Sequence, residues 1–169
     1  MSLMNLAFNF TLVFLVINSI SRTGYKYSEM EELLKYKGYD YSSLIEKFGI
    51  KDSEIDKNVS YIKLQGLSRV NKPDALPGYF YFDGNKLVMI YISDEERLGN
   101  MSFDKIKSDY GAGHRLSSRA GKTSNLHAYP EKGFAVSATH GQIDFIEIFP
   151  STTLDDYKSR IHKDVVFIR

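Results

Sequence analysis

Residues 78–92 read Gly78-Tyr79-Phe80-Tyr81-Phe82-Asp83-Gly84-Asn85-Lys86-Leu87-Val88-Met89-Ile90-Tyr91-Ile92. Two runs dense in aromatic and branched side chains flank an Asp-Gly pair, which tolerates the positive φ of a tight turn, so the segment predicts a β-hairpin. A second stretch follows the same plan. Gly133-Phe134-Ala135-Val136-Ser137 turns through Ala138-Thr139-His140-Gly141-Gln142 into Ile143-Asp144-Phe145-Ile146-Glu147-Ile148, offset by 55 to 56 residues.

Upstream of each hairpin stands a capped helix. Asp40 is the N-cap, Tyr41, Leu44 and Phe48 form an apolar stripe, and Gly49 is the terminator. Ser102, Phe103, Ile106, Tyr110 and Gly111 supply the same parts, each 62 residues further on. The two offsets differ, so the second copy has the shorter link between helix and hairpin. Other expected elements are a short helix over 27–34 capped by Ser28 and strands over Val59–Leu64, Arg115–Arg119 and Asn125–Tyr129. A closing helix over Thr153–Ile161 and a terminal strand over Val165–Ile168 complete the chain. The sum is an α+β domain over 22–169, built from two tandem divergent repeats of helices followed by an antiparallel β-meander. Repeat 1 spans about 40–93, repeat 2 about 102–150, and the C-terminal helix and strand 152–168. Helices are expected on one sheet face, leaving the other partly open.

The first 21 residues are of different composition. No charge precedes Arg22, Phe10 to Ile17 is apolar except for Thr11, and Ser19-Ile20-Ser21 places small residues at −3 and −1. This is the layout of a secretory signal peptide over 1–21, although its n-region has no Lys or Arg. It predicts a periplasmic or secreted mature chain with no integral membrane span, since the apolar core falls short of the roughly 20 residues needed to cross. A buried N-terminal helix or strand is the alternative reading.

The 169 residues carry 22 basic and 21 acidic side chains, a net charge of +1, so no global field selects nucleic acid. The absence of Cys excludes disulfides, Cys-ligated metal and a thiol nucleophile. There is no Trp, while 12 Tyr and 11 Phe lean towards a binding face.

A helix ending in Phe-Gly or Tyr-Gly and followed by a meander, twice over behind a signal peptide, resembles the fold of the beta-lactamase inhibitory protein. The small outer-membrane lipoproteins of the barrel-assembly machinery carry one copy of a related unit. The resemblance covers roughly residues 40–150 and departs from the lipoproteins in lacking a lipidated Cys, and from the inhibitor in lacking disulfides. It implies a non-catalytic binding protein that grips another macromolecule through its open sheet face or loops, and it transfers no functional residue.

Little in the chain resembles a catalytic constellation. Gly121-Lys122-Thr123 mimics the end of a phosphate loop, but Leu116 stands where that loop needs Gly. Asp144 and Glu147, three apart on one strand, are expected on opposite faces and so cannot form a carboxylate pair. There is no Gly-x-Ser-x-Gly elbow and no pair of His at helical spacing. No cofactor is expected. The basic stretch between His114 and His127 is the alternative site, either for a small ligand or hydrolase at the cell envelope or for zinc.

The favoured expectation is an exported inhibitor or immunity-type protein that blocks a partner protein, whether toxin, enzyme or envelope component. Tyr79, Tyr81 and Tyr91 would form an outward aromatic face, Arg115, Arg119 and Lys122 would steer, and His127 would join them on the open face. Core packing is the competing role for the same tyrosines.

Overall fold

The structure is a computed structural model that describes residues 27–49, 55–56, 62–64, 77–117 and 125–163. Helix α1 (Met30–Leu34) runs into a 3-10 turn (Lys35–Gly38) and then α2 (Tyr41–Phe48). Strands β1 (Ile55–Asp56), β2 (Ile62–Leu64), β3 (Tyr79–Asp83) and β4 (Lys86–Ile92) follow. After α3 (Glu95–Leu98) and α4 (Phe103–Tyr110) come β5 (His114–Leu116), β6 (Leu126–Tyr129), β7 (Phe134–Thr139) and β8 (Gln142–Ile148). The described chain closes with α5 (Leu154–Asp156), which widens into a π-turn over Tyr157–His162. The class is α+β.

Local chemistry sets the helix ends. Asp40 accepts the Ser43 N–H at 2.8 Å, and Ser102 accepts the Lys105 N–H at 3.3 Å. Each bond satisfies a donor that the first helical turn would otherwise leave open. Gly49 ends α2 in the left-handed region, whereas Gly111 leaves α4 at φ 84 and ψ −172, outside it. α1 starts later than its sequence suggests. Glu29 is the N-cap, and both the N–H and the hydroxyl of Ser28 are taken by the Glu32 carboxylate.

The eight strands among the described residues join one antiparallel sheet in the order β1-β2-β3-β4-β8-β7-β6-β5. Each hairpin is shifted by a β-bulge, at Tyr81/Phe82 against β4 and at Ser137/Ala138 against β8. The extra residue, Val88 in one hairpin and Asp144 in the other, breaks the period of two. Leu87 and Met89 therefore fall on opposite faces, as do Ile143 and Phe145.

The inner face packs against α1, α2 and α4 through Phe80, Phe82, Ile90, Ile92, Phe134, Val136, Ile146 and Ile148, all at 0% exposure. Burial on that scale, at about 25 cal/mol per Å² of apolar surface, is what fixes the register. The outer face corrects the expectation of helices on one side only. The π-turn after α5 lies on it, Tyr157 and Ile161 packing with Leu126, Ala128, Ala135 and Phe149. Small residues on β6 and β7 let this helix approach the sheet closely. The strand expected over Val165–Ile168, the presumed signal peptide and residues 59–61 of the strand expected over Val59–Leu64 lie outside the described residues. Among the described residues, no helix is long and apolar enough to cross a membrane.

Candidate binding face

The register places Tyr79, Tyr91, Glu147, Ala135, Ala128 and His114 side by side along one row of the outer face, from β3 to β5. Tyr79 and Tyr91 are half-buried, and the Tyr91 ring meets Phe145 at 5.2 Å between centroids with a 36° tilt. Val88, the bulge residue of β4, is half-buried beside them. The result is a run of partly exposed aromatic side chains across β3, β4 and β8.

Tyr81 does not belong to that exposed run. It is 2% exposed and Met89 1%, both enclosed in the outer core that includes Phe149 and Tyr157, so Tyr81 is a packing residue. Further along the row, Glu147 is fully buried, and its carboxylate accepts the Tyr157 hydroxyl at 2.7 Å. Phe149 stacks on Tyr157 at 4.8 Å and 23°. The bulge also returns Asp144 to this face, against expectation. Its Oδ2 accepts bonds from Ser137, Thr139 and Asn125, at 2.9, 2.9 and 3.2 Å. The two carboxylates share a face but are engaged by separate partners.

The basic segment splits between the two faces. Leu116 pairs with Leu126 of the outer core, and His114 pairs with Ala128 on the same side. Arg115 pairs with His127, and both point to the helix side. His127 is therefore not on the open face. Its ring lies 4.7 Å from Phe103 of α4, and Nδ1–H donates to the Ala112 carbonyl at 3.0 Å. His114 and His127 do not converge on a common ligand, and among the described residues no three His, Asp or Glu side chains are grouped for a metal. Arg119 and Lys122 lie outside the described residues.

The helix side holds a shallow cleft between α1 and α4, lined in part by Met30, Met101, Ile106 and Tyr110. The Tyr110 hydroxyl donates to Glu31. Burial, followed by that carboxylate, holds the Tyr110 proton well above the usual tyrosine range. The space the cleft encloses is about 10 Å³, far below the roughly 300–1,000 Å³ of a drug-sized ligand site.

Phe145 and Tyr157 are the members of the face that the sequence pattern missed. Phe145 shares the outer face with Glu147, two residues on, by ordinary alternation; what the bulge moves is Ile143, turned inward, and Asp144, turned outward. Tyr157 was legible as part of an apolar stripe, though not as a stripe bound to the outer sheet face.

The fold and face define an α+β protein with an aromatic sheet surface partly roofed by its own C-terminal helix. In comparisons with protein-family models, curated proteins and solved structures, none matches this chain.

Proposed function

We propose that this chain is a non-catalytic, exported binding protein of the inhibitor or immunity type, acting by stoichiometric contact with a partner protein. The observation that carries the reading is the half-exposed run Tyr79–Tyr91–Phe145 on an otherwise well-packed sheet. Aromatic side chains with one accessible side give large contact area at low entropic cost, which is why they serve as interface anchors. On this reading Tyr79 and Tyr91 are the anchors.

Two divergent copies of one helix-and-meander unit account for the architecture in the same reading. Its support is that the bulges at Tyr81/Phe82 and Ser137/Ala138 stand 56 residues apart, the offset of the two hairpins, and that β4 and β8 meet at the centre of the sheet. Residues 1–21 act as the export signal.

The test is capture from secreted and envelope extracts with the tagged chain, compared with the Tyr79→Ala/Tyr91→Ala variant. A protein retained stoichiometrically by the wild type and lost by the folded variant is the expected result. A partner held equally by both would sink the aromatic anchor.

A further inference from the structure

The strands around the far end of the aromatic run carry no cation. β3, β6, β7 and β8 contain no Lys or Arg, and none occurs between Lys132 and Lys158. They do carry Asp144, which the bulge of β8 places on the outer face, exposed. Its Oδ2 accepts from Ser137 Oγ, Thr139 Oγ1 and Asn125 Nδ2 at 2.9, 2.9 and 3.2 Å. Ser137 is itself 1% exposed, so the carboxylate is anchored to the sheet. No hydrogen bond reaches Oδ1, and Asp144 enters no ion pair among the described residues. His140, in the turn joining β7 to β8, is the nearest basic residue in sequence and forms no bond with it. Glu46, Glu95 and Glu131 are also exposed and unpaired among the described residues, but no side chain holds them in place.

Phe145 is the next residue on that face, because the bulge turns two successive residues to one side. Ser137 stands opposite Phe145 in the register, so the hydroxyl that holds Asp144 also borders the ring. The ring is half-buried and meets that of Tyr91 at 5.2 Å between centroids. A fixed carboxylate oxygen beside an aromatic face suits one side chain above others. A guanidinium can donate an N–H to the oxygen while its plane lies on the ring, and it is weakly hydrated enough to give up water there.

We infer that Asp144 and Phe145, backed by Tyr91, receive an arginine side chain of the protein partner. The inference rests on the binding-protein reading and adds the chemistry of what is bound beside the tyrosine anchors. Asp144 also has a structural role, tying the ends of β6 and β7 to β8 through its three bonds. That role uses Oδ2 alone and needs no charge, since an amide oxygen accepts the same bonds. The open Oδ1 and the negative charge are what the arginine uses, and Asp144→Asn separates the two roles.

The probe is N-acetyl-L-arginine amide, titrated to about 50 mM into the ¹⁵N-labelled full chain and followed by amide chemical shifts, a range that populates a site of millimolar affinity. N-acetyl-L-citrulline amide, of the same shape without the charge, is the control. The expected result is saturable shifts at Ser137, Asp144 and Phe145 with the arginine compound and not with citrulline. Affinity should fall at least about fivefold in Asp144→Asn and about twofold in Phe145→Leu, which keeps an apolar side chain but removes the ring. No saturable shift at these residues, equal shifts with citrulline, or full affinity in folded Asp144→Asn would each overturn the inference; should that variant fail to fold, unchanged affinity in Phe145→Leu would do so. Partner capture tells the two readings apart. A protein lost by Tyr79→Ala/Tyr91→Ala but held in full by Asp144→Asn would overturn the arginine site alone. Arginine-amide binding that follows Asp144, with a captured partner indifferent to the tyrosines, would instead overturn the aromatic anchor and leave the arginine site standing.

Discussion

The phenol of Tyr157 donates a 2.7 Å hydrogen bond to the carboxylate of Glu147, and both side chains are fully buried on the outer face of the sheet. A carboxylate there would be costly without donors, because an apolar surround offers nothing in place of water. Tyr157 supplies one such donor and at the same time stacks on Phe149. The bond therefore couples the position of the C-terminal helix to the solvation of a sheet residue.

Tyr157→Phe keeps the ring and removes the donor. Unfolding in urea should show a loss of about 1–3 kcal/mol, the range for a buried polar group deprived of a partner. An unchanged midpoint would mean that Glu147 does not depend on this hydroxyl.

Ser102→Ala tests the cap of α4. The Lys105 N–H would lose its acceptor, and a cap of this kind contributes about 1 kcal/mol. Because Phe103 and Ile106 remain buried, the helix should persist, with far-ultraviolet circular dichroism little changed and the melting temperature lower.

Gly133→Ala should be the more damaging of these exposed-to-core comparisons. Gly133 sits at φ 80, and a Cβ there would stand 2.4 Å from the Phe149 carbonyl oxygen. Neither the backbone angle nor the contact can relax without moving the start of β7 away from the end of β8. A loss of about 2–4 kcal/mol is expected from thermal or urea unfolding.

The parts of the fold legible in the sequence are those decided within a few residues. Asp40 and Ser102 announce their helices because a cap needs only a side-chain oxygen and the next turn. The Asp83-Gly84 and His140-Gly141 turns are legible for the same reason, with Gly84 at φ 57, His140 at 51 and Gly141 at 83. What the sequence hides is non-local. The bulges at Val88 and Asp144 exist only relative to the partner strand, and they reassign Leu87, Ile143 and Asp144 to faces that simple alternation denies them. Tyr81 reads like Tyr79 in sequence, two residues away on the same face, yet one is enclosed and the other half-open. His127 alternates with Leu126 and Ala128 as expected; which face belongs to the helices is decided by the packing of Phe103.

The last prediction concerns alkaline pH. Burial raises the Tyr110 phenol above its ordinary value of 10.0, and hydrogen bonding to Glu31 raises it further. Tyr129, desolvated beneath α4 and donating to the Gly111 carbonyl at 2.8 Å, is shifted in the same direction. A group that holds its proton more tightly when folded contributes its stability fully below its unfolded pKa, and loses it as pH climbs towards the folded one. Stability should therefore be insensitive to these two residues at neutral pH and should fall as pH rises from about 10 upward. Tyr110→Phe should flatten that decline, and Tyr110→Phe/Tyr129→Phe should flatten it further, in urea unfolding followed from pH 8 to 11. A wild-type decline of the same steepness in the double variant would place its origin in other groups. A decline removed by Tyr110→Phe alone would assign it to the contact between α1 and α4, the element pair that this tyrosine joins through Glu31.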